Sequence, residues 1–268
     1  MVCFPNAKIN VGLHILHKRP DGYHAIESGF YPIPLCDVLE ILPAEQLSFQ
    51  QSGIAIPPDG KDNLCLRAYA LLKADFDLPP VQLYLHKIIP TGAGLGGGSA
   101  DAVYTLKSLN ILFGLGLNND QLLAYSTQLG SDCAFFVENQ PALATGRGEV
   151  LTAMPIPLAN QFMVLVYPNV HISTAQAYAA VRPSDDRPSL SDKFALPLAQ
   201  WKDHLHNDFE AALFPQFPVL AQIKAELYAM GAVYAAMTGS GAALYGIFDQ
   251  EVDLADHFQA YWCWQGFV

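Results

Sequence analysis

"PTGAGLGGGSADAVYTL", residues 90–106, decides how the rest of the chain is read. Between Pro90 and Ser99 stand Gly92, Gly94, Gly96, Gly97 and Gly98, with only Thr91, Ala93 and Leu95 bearing side chains among them. Glycines allow positive φ and let the main chain approach a ligand closely. A helical pattern follows at once, and the first N–H groups of a helix lack intrahelical partners and lie at the positive end of its dipole. Such a loop suits an anion, and phosphate is its natural occupant. "GAGLGG" also fits the spacing GxGxxG, but a dinucleotide fingerprint needs a buried parallel strand before it and an acidic residue ending the next strand. Pro90 interrupts the approach, and no such acid follows at the required distance. A Walker A loop is excluded as well, because no Gly-Lys-Ser or Gly-Lys-Thr follows the glycines.

On the near side of the loop, "AKINVGLHIL" (7–16) alternates: Ile9, Val11, Leu13 and Ile15 against Lys8, Asn10, Gly12 and His14. That pattern predicts a half-buried strand with a polar side, which is either solvated or turned into a cleft. In "HKRPDGYH" (17–24), Pro20 and Asp21-Gly22 predict a tight reversal with Tyr23 and His24 emerging beyond it. Further strands are expected over 35–49 and 81–89, the latter alternating Val81, Leu83, Leu85 with Gln82, Tyr84, His86.

Beyond the loop, helices are expected at 99–113 and 119–129, stopped by Gly114 and Gly130. In "LGSDCAFFV" (129–137), Asp132 either caps a helix starting at Cys133 or is a buried carboxylate beside the phosphate loop, acting as a base. Prolines 155 and 157 mark a break in pattern and place a domain boundary there. The second half reads as a strand (162–167), a polar and mobile connector (182–193), a helical region around "HNDFEAALF" (206–214), a helix (217–230) and a strand–turn–strand (232–248).

With 268 residues, 51% of them hydrophobic and 15% charged, the chain has length for two compact domains. A net charge of −11 argues against nucleic acid or an anionic membrane as partner. Any phosphate site must therefore be built from local N–H groups, a few cations and a metal ion. Five scattered cysteines without metal-like spacing fit a reduced, cytoplasmic setting. Residues 227–248 carry no charge, but Gly231, Thr238, Gly239, Ser240 and Gly241 break them, so a helix, turn and strand are expected and not a membrane span.

Taken together, "PNAKINVGLHI", "PTGAGLGGGSADA" and "MTGSGAALYGIF", in that order over nearly the whole chain, resemble the three motifs of the GHMP kinase superfamily. "RPDGYH" (19–24), "LGSDCAFF" (129–136), "ATGRGE" (144–149) and "NDFE" (207–210) resemble the branch that phosphorylates 4-diphosphocytidyl-2-C-methyl-D-erythritol. The resemblance implies an α+β fold of two domains: a ribosomal protein S5 domain 2-like one over 1–155 and a ferredoxin-like one over 156–268. It implies ATP as co-substrate with Mg2+, and isoprenoid precursor synthesis in the cytoplasm. Asp132 would be the base and Lys8 would hold that carboxylate and the reacting oxygen. Gly94, Leu95, Gly96, Gly97, Gly98 and Ser99 would cradle the ATP phosphates, Pro90 and Gly92 belonging to the same segment, with Asn63 and Lys87 near the adenosine and no protein side chain assigned to the metal. Tyr23 and Tyr178 would sandwich the cytosine and His24 read its edge, with Asn10 and Thr174 near the erythritol and diphosphate. Ala134 stands where this branch often has proline, and Thr238 and Ala242 where it often has serine. Another small-molecule kinase of the superfamily, or a member that binds without transferring phosphate, are the competing expectations.

Overall fold

The computed structural model describes residues 1–56 and 63–268. They form two compact units, each assembled from separate stretches of chain: Met1–Ala7, Leu35–Thr91 and Gly96–Gln140 in one; Lys8–Pro34, Gly92–Leu95 and Pro141–Val268 in the other.

The first unit is a four-stranded sheet packed with helices. Its strands run in the order Val2–Cys3, Val38–Pro43, Val81–Lys87, Ser48–Gly53, antiparallel except for the last pair. The stretch 35–49 is thus not one strand: it holds the end of His24–Cys36, all of Val38–Pro43 and the start of Ser48–Gly53. Val81, Leu83 and Leu85 point into the core as their alternation requires. Lys87 falls on the same face and is buried with them. The helix Gly97–Leu112 starts two residues before its expected position, and Ala102, Val103, Leu106 and Leu109 are fully buried. It packs against Leu64–Asp75, Asn119–Leu129 and a 3-10 turn, Ser131–Ala134.

The second unit holds two four-stranded sheets. One has the order Asn6–Lys18, His24–Cys36, Ala142–Thr145, Val150–Ala153; the other runs Tyr234–Met237, Leu244–Phe248, Phe162–Tyr167, Trp262–Phe267, antiparallel throughout. All six residues of Phe162–Tyr167 are buried, as a continuous apolar run demands of a strand covered on both faces. The uncharged stretch 227–248 resolves into the end of helix Pro218–Ala229, a turn and two strands. Among the described residues no helix is long and apolar enough to cross a membrane.

Two expectations are corrected here. The strand Asn6–Lys18 is not half-buried: every residue from Asn6 to Ile15 is buried, Lys8 and Asn10 at 2% exposure and His14 at 3%. Nor is the connector 182–193 loose. The Ser184 amide donates to the Ile15 carbonyl at 3.0 Å, and Arg187 pairs with Asp208 at 2.8 Å. The Ser189 hydroxyl and the Leu190 amide both donate to Glu27, and Leu190–Phe194 is helical. Glu27 is nearly buried, and a buried carboxylate needs such donors; the connector provides them.

Candidate active site

The glycine segment is divided between the units. Gly92–Leu95 lies in the second unit, where three distant stretches of sequence converge. The Lys8 amide donates to the Leu95 carbonyl at 2.9 Å. Its ammonium donates to Asn10 Oδ1 and sits 4.6 Å from the centre of the Phe30 ring, so a buried cation is held by an amide oxygen and an aromatic face. The Asn10 amide group donates in turn to Ser28 Oγ at 2.8 Å, and Ser28 Oγ to the Gly12 carbonyl at 2.7 Å.

From the third motif, Thr238 meets both of the others. Its hydroxyl accepts from the Asn10 backbone N–H at 3.0 Å and donates to the Gly94 carbonyl at 3.1 Å. The two glycine loops are pressed together. A Cβ on Gly94, which has φ +82°, would lie 2.1 Å from the Thr238 carbonyl oxygen, and the Ala243 amide donates to the Ala93 carbonyl at 3.2 Å. Only glycine fits at 94.

"NDFE" braces this arrangement. Asn207 Nδ2 donates to the carbonyls of Met237 and Gly239, both at 2.8 Å, one on each side of Thr238. Asp208 accepts from the Ile15 amide at 2.7 Å, and Glu210 from the Met237 amide at 2.8 Å and Lys224 at 2.6 Å.

In the first unit the segment continues from Gly96, which caps the helix Gly97–Leu112 in the left-handed region, φ 72°, with no side chain capping the end. The orphan N–H groups of the first turn thus face whatever occupies the loop. Lys87 and Asp37 fix the approach to it. Asp37 accepts from the amides of Ile88 and Ile89, at 2.6 and 2.9 Å, and pairs with Lys87. Lys87 also donates to Asp101 Oδ2, one turn into the helix, at 2.8 Å. The Lys87 ammonium is buried between two carboxylates that flank the glycines. Neighbouring carboxylates push the Lys87 pKa up against the opposing effect of burial. Burial and the second carboxylate push Asp101 up to about 7, because one lysine does not offset two buried acids.

Asp132 lies inside the 3-10 turn Ser131–Ala134, whose N-cap is Gly130 without a side-chain hydrogen bond. Its capping reading is therefore wrong, and it is half-buried, not buried. The turn packs on Gly97–Leu112, and the Ser99 hydroxyl beside Cys133 partly offsets the rise that burial gives that thiol, which reaches about 11. Asn63 caps Leu64–Asp75, its Oδ1 accepting from the Cys65 amide at 2.8 Å.

The residues expected on the nucleobase all lie in the second unit. His24 stacks on Tyr178, centroids 5.1 Å apart at 20°, and Tyr178 meets Phe209 edge-on at 5.0 Å. Tyr23 is 58% exposed, with the Arg147 guanidinium 5.1 Å from its ring centre. Desolvation and nearby Lys18 lower the His24 pKa, favouring the neutral ring with one acceptor nitrogen. Thr174 is exposed at the start of Thr174–Ala180.

Sequence reading missed Thr238, Asn207, Asp37, Asp101 and Arg147 as parts of the site. The signal for Lys87 was present: it continues the buried series Val81, Leu83, Leu85, and a lysine on such a face requires counter-charge. Among the described residues no group of three or more His, Cys, Asp or Glu side chains is placed to hold a metal. The glycine helix end offers backbone N–H groups and the Ser99 hydroxyl, a donor set that fits phosphate oxygens.

Residues 63–140 match the family model for the GHMP kinases N terminal domain, and 195–262 that for GHMP kinases C terminal. The chain is 47% identical over 270 residues to 4-diphosphocytidyl-2-C-methyl-D-erythritol kinase of Bacteroides fragilis, covering 99% of this chain and 98% of the relative. It belongs to that family of GHMP kinases. A second kinase of the same name, from Parabacteroides distasonis, is 44% identical with 99% of each chain covered. This GHMP kinase also superposes on a crystal structure of 4-(cytidine 5'-diphospho)-2C-methyl-D-erythritol kinase with TM-score 0.83 at 31% identity, over 99% and 98% of the two chains. A mevalonate kinase structure matches with TM-score 0.74 at 14% identity over 99% and 98%, which speaks for the fold alone. The two-domain α+β GHMP kinase fold expected from the motifs is the fold observed, and membership of this kinase family makes ATP the co-substrate.

Proposed function

We propose that this GHMP kinase transfers the γ-phosphoryl group of ATP to the 2-hydroxyl of 4-diphosphocytidyl-2-C-methyl-D-erythritol, in the non-mevalonate route to isoprenoid precursors in the cytoplasm. Phosphoryl transfer asks a protein mainly for positioning and charge stabilisation. The observation that carries the reading is the convergence of Lys8, Asn10, Gly94, Leu95 and Thr238, all from motifs by which the chain resembles this family. Identity of 44–47% to kinases of that name supports the choice of acceptor.

In this reading Asp132 takes the proton from the acceptor hydroxyl, and Lys8 orients the reacting oxygen and offsets its developing charge. Pro90, Gly92 and Gly94 to Ser99 hold the phosphates, and Asn63 lies near the adenosine. Lys87 lies near the adenosine as well and ties together the two flanks of the loop. Tyr23 and Tyr178 take the cytosine between them, with neutral His24 reading its edge; Asn10 and Thr174 face the erythritol and diphosphate. Magnesium, when bound, offsets the charge of the phosphates. A division into family domains at 155/156 belongs to the same reading, with the two family-model matches falling on either side of it.

Incubation of the protein with ATP, Mg2+ and a panel of alcohols, including the cytidyl substrate, homoserine and mevalonate, followed by mass spectrometry, tests this. Selective phosphorylation of the cytidyl compound is expected. Phosphorylation of a different alcohol, or of none, overturns the assignment.

A further inference from the structure

We infer that Thr238 is a positioning residue for phosphoryl transfer: its hydroxyl joins the lysine strand to the nucleotide loop and sets the geometry between them. The inference rests on the phosphotransferase reading above and adds to it a residue in the role of linker between donor loop and catalytic lysine.

The side chain is fully buried and has one proton to give. That proton goes to the Gly94 carbonyl at 3.1 Å, while the oxygen accepts the Asn10 backbone N–H at 3.0 Å. Asn10 Oδ1, 3.4 Å from the same hydroxyl, accepts from the Lys8 ammonium. One hydroxyl therefore connects the carbonyl of a loop glycine to the residue whose amide oxygen orients Lys8. The alternatives are closed on all sides. Gly94 tolerates no Cβ, Asn207 fixes the carbonyls before and after Thr238, and the Tyr245 hydroxyl donates to the Asn10 carbonyl at 2.9 Å. Backbone, strand and loop are thus held rigidly around a single replaceable group. Loss of that group removes the hydroxyl's bonds to the Asn10 backbone N–H and the Gly94 carbonyl and leaves the backbones of strand and loop in place. Near-attack geometry is sensitive to displacements of about 1 Å, which can cost about 100-fold in rate.

Thr238→Val keeps the shape and removes the hydroxyl; Thr238→Ser keeps the hydroxyl and removes the methyl group. Both are compared with the wild type in full-length protein by steady-state kinetics for ATP and the cytidyl substrate, ADP binding by calorimetry, and thermal unfolding. The expected result is a fall in kcat of at least about 10-fold for Thr238→Val, with KM for the cytidyl substrate unchanged, and recovery of most of the rate in Thr238→Ser. Wild-type kcat in a folded Thr238→Val protein overturns the inference, as does an equal loss in the serine variant. Should the valine variant not fold, Thr238→Ala carries the same comparison against Thr238→Ser. A wild-type protein that phosphorylates none of the alcohols overturns the functional reading itself, and is distinguished by the absence of activity before any substitution is made.

Discussion

Lys87 donates to Asp101 Oδ2 at 2.8 Å with both side chains shielded from water, and the same ammonium serves Asp37, which is wholly buried. One cation thereby ties the residues just before the glycine loop to the helix just after it. Replacement by a neutral side chain of similar length strands two carboxylates in the core. Lys87→Met should destabilise the protein by about 3–5 kcal/mol, measured by urea denaturation. A loss below about 1 kcal/mol, no larger than a surface pair is worth, would show that the carboxylates find other partners.

The same cluster predicts a pH dependence. Burial raises Asp101 to about 7 in the folded protein from an ordinary value of 3.8. Between those values the folded state binds more protons than the unfolded one, so this group's contribution to stability is fully present below about pH 4 and is lost as pH rises through about 7. Asp101→Asn, which cannot ionise, should flatten the fall in stability over that window. Parallel curves of stability against pH for variant and wild type would remove Asp101 as the titrating group.

Tyr23 exposes a large aromatic ring with the Arg147 guanidinium over it. Stacking of a base on an aromatic ring contributes about 1–3 kcal/mol, so Tyr23→Ala should raise KM for the cytidyl substrate about 10-fold or more and leave KM for ATP nearly unchanged. Arg147→Gln, acting through the ring, should raise it about 2- to 5-fold. Equal effects on both substrates would make Tyr23 a packing residue.

Gly94→Ala should damage both fold and rate. The φ of +82° disfavours any Cβ, and this one would lie 2.1 Å from the Thr238 carbonyl oxygen. A loss of at least about 2 kcal/mol is expected in thermal unfolding, from left-handed strain and displacement of the third motif. A variant with wild-type melting behaviour would contradict the close packing of the two glycine loops.

Much of this was legible in the chain. Dense glycines before a helical pattern announced the loop and the helix Gly97–Leu112 that it opens, and alternation announced the strands Asn6–Lys18 and Val81–Lys87. What stayed hidden depended on distant partners. Whether the polar face of Asn6–Lys18 was solvated or turned into a cleft stayed open because the groups that bond the strand's backbone, Thr238, Tyr245 and Asp208, come some two hundred residues later. The connector looked mobile because its composition is polar, while its order comes from Glu27, a buried acid on a separate strand. Asp132 looked like a cap because local spacing cannot separate the start of a helix from a 3-10 turn. Lys87 is the instructive case: it continues the buried series Val81, Leu83 and Leu85, but its partners Asp37 and Asp101 come from other elements.

The central claim is that Asp132 acts as the base in phosphoryl transfer, and its most direct test is the turnover of Asp132→Ala in a coupled ADP-release assay with the cytidyl substrate. A fall in kcat of about 100- to 10,000-fold is predicted, with melting temperature and ADP affinity unchanged. Wild-type turnover by that variant would contradict the account.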